Sequence, residues 1–146
     1  SKVYRYILKN KDNETVPLSE ELRFVELYIQ LQKTRFGEGL KIQVDIPEEF
    51  LHRKIAPVTL QNLVENAIKH NAVSRESILK IAIYISGDKL IVHNNINPKQ
   101  HKDSSSGMGL QNIINRYNIL TDKKVQINND NINFIVSLPL IKNIDA

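Results

Sequence analysis

Two runs of alternating apolar residues, separated by Gly87-Asp88, constrain the fold of this 146-residue chain more than any other feature. The first run has an apolar residue at every second position of residues 79–85, and the second continues with Leu90 and Val92. A period of two predicts strands that are buried on one face, and a Gly-Asp pair between them predicts a tight turn. The chain is therefore expected to contain a β-hairpin with one apolar face that other elements must cover.

A first helix is predicted from about Glu20 to Arg35, where apolar residues recur with helical spacing. Ser19 is the predicted N-cap, and the charges of Glu20 and Glu21 suit the positive end of this helix. Gly37 is expected to end it in a left-handed conformation.

The remaining elements complete a pattern of helices and hairpins. Residues 40–46 alternate like a half-buried strand, and a final hairpin is expected around Asn129-Asp130. Further helices are predicted over residues 60–71, with Pro57 near the first turn, and over about residues 110–120. The predicted fold is an α/β (α+β) two-layer sandwich with a mixed, mostly antiparallel sheet and its helices on one face.

Composition excludes several classes of function. The net charge of +4 comes from scattered lysines and arginines, so no nucleic-acid-binding surface is indicated. There is no cysteine and no long apolar run, which excludes disulfides and thiolate metal sites and predicts a soluble fragment. The four histidines lack the close spacing of a metal cage, although a divalent ion held by oxygen ligands stays open.

The helix over residues 60–71 (LQNLVENAIKHN) has an unusual polar side. Asn62, Asn66 and Lys69 fall within about 60° of one another, opposite an apolar side. Amide oxygens can ligate a hard cation, and amide NH₂ groups and lysine can bind phosphate. The stripe is consistent with a magnesium–phosphate site or, alternatively, with an ordinary solvated face in an Asn-rich sequence.

Two further features are open to more than one interpretation. In the strand KLIVHNN, Asn94 is expected to point inward with Leu90 and Val92, either to bond the backbone at the strand end or to contact a flat ligand such as adenine. Gly107 and Gly109 flank Met108 before a helix, which allows a close anion approach or simply a flexible helix entry. Between these features lies a long polar loop, residues 95–106 (NINPKQHKDSSS).

In this order the motifs resemble a known family. LQNLVENAIKHN resembles the N box and SSGMGLQNIINRY the G2 box of the ATP-binding domain of sensor histidine kinases, which has a Bergerat (GHKL) fold. The longer stretch from VPLSEELRFVELYIQLQKTRFG onward looks like the LytS/YehU-like kinases. The resemblance implies that residues 1–16 end a helical dimerisation and phosphoacceptor segment and that residues 17–146 form the ATP-binding catalytic domain.

The resemblance also implies cofactors and roles for individual residues. The cofactors would be ATP and Mg²⁺, residues 95–106 would be the ATP lid, and Glu65 would orient the accepting imidazole unless it is only a surface glutamate. The nucleotide would be held by Asn66 as the magnesium ligand, Asn62 and Lys69 near the phosphates, Asn94 at the adenine amino group, and Gly107, Gly109 and Leu110 at the end of the lid.

Three departures from the family pattern bear on these roles. The usual Asp-x-Gly of the G1 box is replaced by Asn94-Asn95-Ile96, which removes a charge and a glycine. Ile132 stands where a threonine is often found on the late strand. None of the histidines, which are His52, His70, His93 and His101, lies in the family's phosphoacceptor motif.

The expected function is the catalytic ATP-binding domain of a two-component sensor histidine kinase that phosphorylates a histidine on a missing upstream segment. The partner would be a response regulator, of the LytTR type, and the whole kinase would be a homodimer in the cell membrane with this domain in the cytoplasm. Three alternatives stay open: a degenerate, non-catalytic GHKL module, an anti-sigma-factor-like Ser/Thr kinase, and an α/β domain with no nucleotide site.

Overall fold

A computed structural model describes residues 15–99 and 108–142, together with Lys2, Tyr4, Arg5 and Ile7, which are helical. The main sheet has five strands in the order β2-β4-β5-β7-β6. The strands β2 and β4 are parallel, and the other neighbours are antiparallel. The strands are β1 (Val16–Pro17), β2 (Leu40–Asp45), β3 (Lys54–Ile55), β4 (Leu79–Ser86), β5 (Lys89–Asn95), β6 (Gln126–Asn129) and β7 (Asn133–Pro139).

The helices cover one face of this sheet. They are α1 (Leu18–Phe36), α2 (Thr59–His70) and α3 (Met108–Leu120). Their apolar sides form one core with the inward residues of the strands, including Ile81, Ile83, Val92 and Leu138. On the opposite sheet face, Lys41 and other alternate residues are exposed. The predicted two-layer fold and the mostly antiparallel sheet are confirmed.

Both predicted hairpins are present. β4 and β5 pair antiparallel across Gly87, whose φ of 63° requires the conformational freedom of glycine. The last hairpin joins β6 to β7, and its turn contains Asn131 with a positive φ. Gly37 ends helix α1 as predicted, with a positive φ of 54°, but its ψ of −128° is not that of the predicted left-handed conformation.

One local prediction about a helix start is wrong, and another is confirmed. Ser19 does not cap α1, because the helix already begins at Leu18 and its N-cap is Pro17, which has no side-chain donor or acceptor. Pro57 lies near the first turn of α2 as predicted, directly before the N-cap Val58, which has a left-handed conformation. The first N–H groups of α1 donate to the carbonyls of Arg53 and Leu51, and Glu21 of α1 caps the start of α2, as described below.

A second, small sheet was not predicted. β1 pairs antiparallel with β3, and Val16 is buried in the main core. Strands of two residues carry no periodic signal, so tertiary pairing alone defines them. The predicted domain boundary at residue 16 is not tested by these contacts and stays a prediction.

No helix in the described part of the chain is long and apolar enough to cross a membrane.

Candidate functional site

A cavity of about 560 Å³ opens between α2, the start of α3 and the helix-covered face of β5 and β7. Its size is in the range of small-molecule sites, and its wall combines apolar side chains with a few amides. The lining residues are Leu63, Asn66, Ala67, Lys69, His70, Asn71, Val92, Asn94, Ile96, Gly109, Leu110, Asn129, Phe134 and Val136.

The polar side of α2 reaches the rim of this cavity. Asn66, which is half-buried, and the exposed Lys69 both line it, at positions fixed because Leu63, Val64 and Ala67 on the other side are packed in the core. Asn62 is on the same helix, one turn earlier, and is half-buried, but it does not line the cavity. The structure thus brings Asn66 and Lys69 to one opening and leaves Asn62 beside it.

Glu65 lies on a neighbouring side of α2. Its side chain is exposed and accepts a hydrogen bond from Nε2 of Gln61. Burial, followed by the negative charge of Glu65, raises the pKa of Tyr28 on α1 to about 12, while the charge of Arg35 acts in the opposite direction. Glu65 therefore faces α1 and solvent, and it is absent from the cavity lining.

Asn94 points inward, as its alternation with Val92 predicted, and it is only 4% exposed. Its Nδ2 donates a hydrogen bond of 2.8 Å to the carbonyl oxygen of Asn95, so the amide bonds the strand end. Among the described residues, no hydrogen bond reaches its Oδ1, and the residue lines the cavity. The bond to the strand end is thus observed, and contact of the Asn94 oxygen with a flat ligand stays a prediction.

The start of α3 approaches α2 closely at the cavity. A Cβ atom added to Gly109 would lie 3.5 Å from Nδ2 and 3.6 Å from Oδ1 of Asn66. Leu110, the next residue, also lines the cavity. Gly107 and most of the predicted lid, residues 100–107, lie outside the described residues.

A network of asparagines joins the end of α2 to the end of β5. The Oδ1 of Asn71 accepts a hydrogen bond of 2.8 Å from the backbone N–H of Asn97. The backbone carbonyl of Asn97 in turn accepts one of 3.0 Å from the backbone N–H of Ala72. The Nδ2 of Asn97 donates to the carbonyls of Ile78 and Ala72, at 2.9 and 3.3 Å. The first residues of the predicted lid are therefore fixed by hydrogen bonds, which the polar composition of the loop did not reveal.

The apolar wall of the cavity was missed by sequence reasoning, and one residue was misplaced. Phe134 and Val136 of β7 line the cavity, whereas Ile132 lies in the preceding turn and is 69% exposed. Only the backbone of Ile132 contacts this region, through its carbonyl, which accepts the N–H of Ile96 at 2.9 Å. The expectation that Ile132 replaces a threonine beside the ligand is wrong, because the strand begins one residue later than that register requires.

The donor set fits a metal that arrives with a phosphate ligand. The described residues contain no group of three or more His, Asp or Glu side chains able to hold a metal ion. Mg²⁺ commonly uses one or two protein oxygens, several waters and the oxygens of a bound phosphate. The amide oxygen of Asn66 beside Lys69 suits that mode.

Comparison with known proteins gives a consistent result. A family model described as histidine kinase matches residues 1–40. An uncharacterized sensor-like histidine kinase of Staphylococcus epidermidis is 38% identical over 97 residues, which are 65% of this chain and 19% of that protein. The sensor protein kinase HptS of Staphylococcus aureus is 35% identical over 92 residues, 63% of this chain and 18% of that protein. The chain spans about a fifth of the length of these curated relatives.

Solved structures show the same fold at low sequence identity. The catalytic domain of histidine kinase ThkA has a TM-score of 0.58 and 19% identity, and the match covers 88% of this chain and 97% of that one. The cytoplasmic segment of histidine kinase QseC has a TM-score of 0.61 and 16% identity, with 88% and 78% covered. The three comparisons confirm the resemblance to sensor histidine kinases and the fold of their catalytic domains, and they do not distinguish the LytS/YehU-like subgroup.

Proposed function

We propose that this chain, which is related to sensor histidine kinases and has the fold of their catalytic domains, binds Mg²⁺–ATP in the cavity between α2 and α3. The observation that carries the proposal is the convergence of Asn66, Lys69, Asn94 and Gly109 on one cavity. The four residues come from three separate elements, α2, β5 and α3, and the sequence motifs predicted each of them as a nucleotide ligand. The reaction proposed is transfer of the γ-phosphoryl group to a histidine outside this chain.

The two ends of the cavity suit the two ends of the nucleotide. The inner part is formed by Val92, Phe134 and Val136, an apolar wall against which a flat base can pack. Asn94 offers an acceptor oxygen there, which matches the exocyclic amino group of adenine. The outer part carries Lys69 and the first turn of α3, whose backbone N–H groups and dipole favour an anion.

At that outer part the chain's residues position and neutralise the phosphates. Mg²⁺, when bound, would supply positive charge that offsets the negative charge developing during phosphoryl transfer. The Oδ1 of Asn66 would hold the metal, Lys69 and Asn62 would lie near the phosphates, and Gly109 would leave the backbone accessible. Gly107 is assigned to the same role from the motif alone, and Leu110 packs at the cavity edge.

The exposed Glu65 is proposed to meet the acceptor histidine. Its carboxylate is on the outer side of α2, next to Asn66 in the sequence and in contact with solvent. A carboxylate there can hold the imidazole of an incoming histidine in the orientation for attack. For the full-length kinase we further propose that it is a dimer, that a membrane anchor lies outside this chain, and that its partner is a response regulator of the LytTR type.

Transfer to histidine is tested by supplying the acceptor. The chain is incubated with γ-labelled ATP and Mg²⁺ together with a separate fragment carrying the phosphoacceptor helix of its own full-length protein. The expected product is a labelled acceptor that loses its label in acid and keeps it in base. An acid-stable label would instead indicate a Ser/Thr kinase.

A second candidate function is a GHKL module that binds nucleotide poorly and serves dimerisation or signalling. The observation that favours it is the uncharged G1 region. There the NH₂ group of Asn94 donates to the carbonyl of Asn95, and the backbone N–H of Ile96 donates to the carbonyl of Ile132. This candidate predicts neither labelled product nor thermal stabilisation by ATP. The two functions therefore give opposite results in the same labelling experiment.

A further inference from the structure

The carboxylate of Glu21 links α1 to the start of α2. Glu21 is in the first turn of α1 and is 0% exposed. Its Oε2 accepts the N–H of Val58 at 3.1 Å, and its Oε1 accepts the N–H of Leu60 at 3.2 Å. A buried carboxylate is costly unless it is hydrogen-bonded, and the first N–H groups of a helix provide bonds and a favourable dipole. Glu21 thus supplies the cap that α2 lacks in its own sequence.

The residue held by Glu21 is in a strained conformation. Val58 has a φ of 67° and a ψ of 5°, in the left-handed region that β-branched residues rarely adopt. Such a conformation persists where surrounding contacts impose it, and it is common near functional sites. Removal of one of these contacts is expected to let the start of α2 relax.

Helix α3 holds the same turn from the other side. The hydroxyl of Tyr117, fully buried, accepts the N–H of Ala56 at 3.3 Å. A guanidinium nitrogen of Arg116 donates to the carbonyl of Pro57 at 3.2 Å. The turn that begins α2 is therefore fixed between α1 and α3, and α3 also carries Gly109 at the cavity.

A displacement at this turn reaches the cavity through α2 itself. Asn66 follows Val58 by eight residues on one continuous helix, a distance of about 12 Å along its axis. The side chain of Asn66 lies so close to Gly109 that a single Cβ atom added to the glycine would already be in van der Waals contact with it. A helix is stiff over this length, so a shift or rotation at Val58 changes the position of Asn66 against Gly109.

We propose that Glu21 is a positioning residue for the cavity: by fixing the strained start of α2 it sets the placement of Asn66 against α3. This inference rests on the proposed function for its effect on nucleotide binding, whereas the effect on Asn66 is independent of it. Glu21 does not touch the cavity, so it acts only through α2.

The test compares Glu21→Gln with Val25→Ala, a matched variant that weakens the core on the same helix and leaves both hydrogen bonds of Glu21 in place. Affinity for Mg²⁺–ATP is measured by calorimetry well below the unfolding temperatures of both. Glu21→Gln is expected to weaken binding about fivefold or more, and Val25→Ala is expected to leave it unchanged. Equal affinities in the two variants would overturn the proposal and leave Glu21 a stabilising residue alone.

A second variant distinguishes positioning from stability. Val58→Gly relieves the left-handed strain, so α2 should then depend less on Glu21, and the double variant Glu21→Gln/Val58→Gly should recover much of the lost affinity. If Glu21→Gln does not fold, Glu21→Asp, whose shorter side chain reaches the two N–H groups less well, is compared with the wild type, and a loss of affinity of about twofold or more supports the proposal. Unchanged affinity in Glu21→Asp would contradict it, because a weakened cap would then have no effect at the cavity.

A measurement without nucleotide separates this inference from the proposed function. Backbone and side-chain amide NMR signals of Gly109 and Asn66 are expected to shift in Glu21→Gln and to stay in place in Val25→Ala. If the wild-type chain binds no nucleotide, the proposed function fails, and these signals alone decide the inference. Unshifted signals in Glu21→Gln would overturn it.

Discussion

The substitution Gly109→Ala is predicted to change stability and ligand binding in opposite directions. Gly109 is in the first turn of α3, has no left-handed conformation and is exposed, so alanine fits its backbone. Alanine is favoured over glycine in helices by at most about 1 kcal/mol, which raises Tm by roughly 2–4 °C in a chain of this size. The new Cβ would lie 3.5 Å from Nδ2 of Asn66, an ordinary van der Waals contact without steric cost.

The same methyl group occupies the space through which a phosphate would reach the backbone of α3. We expect the affinity for Mg²⁺–ATP to fall about tenfold, which corresponds to about 1.4 kcal/mol. The assay is a thermal melt together with calorimetric titration of the same preparations. Unchanged affinity in a normally folded Gly109→Ala variant would refute the proposed role of this close approach.

The matched control is Gly87→Ala in the turn of the β4–β5 hairpin. Gly87 has a positive φ of 63° and no atom within 4 Å of an added Cβ, so only the backbone is strained. A left-handed alanine costs about 1 kcal/mol, so we expect a lower Tm with normal nucleotide affinity. Gly109→Ala should therefore raise Tm and weaken nucleotide binding, whereas Gly87→Ala should lower Tm and leave nucleotide binding unchanged.

Three further predictions concern buried polar groups. Tyr117→Phe leaves the N–H of Ala56 without its acceptor and should lower the free energy of unfolding by about 1–3 kcal/mol in urea titrations. Because burial raises the pKa of Tyr117 above its usual 10, its contribution is complete below pH 10 and lost as the pH rises further, so Tyr117→Phe should lose stability less steeply in alkali. Asn97→Ala removes two donors and should cost about 1–2 kcal/mol in the same titrations, and an unchanged midpoint would contradict the network. Asn94→Asp sets a carboxylate oxygen against the carbonyl of Asn95, so we expect lower stability at pH 7 than at pH 4, and equal stability at both would contradict this geometry.

The sheet could be predicted from sequence because its signals are local. Alternation over residues 79–85 and a glycine turn determine which side chains are buried, and the same logic correctly carried Asn94 inward. The amide stripe of α2 could be located for the same reason, since helical periodicity places Asn66 and Lys69 opposite the core. These features depend on spacing within one element.

Features that depend on contacts between distant elements could not be predicted. Ser19 was predicted to cap its own helix, α1, from its residue type. The side chain that does cap a helix is Glu21, and the helix it caps is α2, which packs against α1. The cap position of α2 is Val58, a residue type that no sequence rule assigns to a left-handed conformation. Tertiary contacts decide both cases, and they join residues more than 35 positions apart.

The same limit applies to the cavity. Phe134 and Val136 form its inner wall because β7 pairs with β5 in one register, and a shift by one residue would turn both away. The family resemblance assigned Ile132 to the late strand, whereas that strand begins at Asn133. Boundaries of short strands after Asn-rich turns carry little signal, and here the carboxylate of Asp130, in the turn just before the strand, accepts the N–H groups of Ile132 and Asn133.

The central claim is that the cavity beside Asn66 is a magnesium–nucleotide site. The most direct test is calorimetric titration of the chain with ATP and ADP, each with and without Mg²⁺, in the wild type and in Asn66→Ala. The account predicts saturable binding that is strengthened by Mg²⁺ in the wild type, and loss of the Mg²⁺ effect in Asn66→Ala. Magnesium-dependent binding of equal strength in both proteins, or no binding by the wild type at millimolar nucleotide, would contradict it.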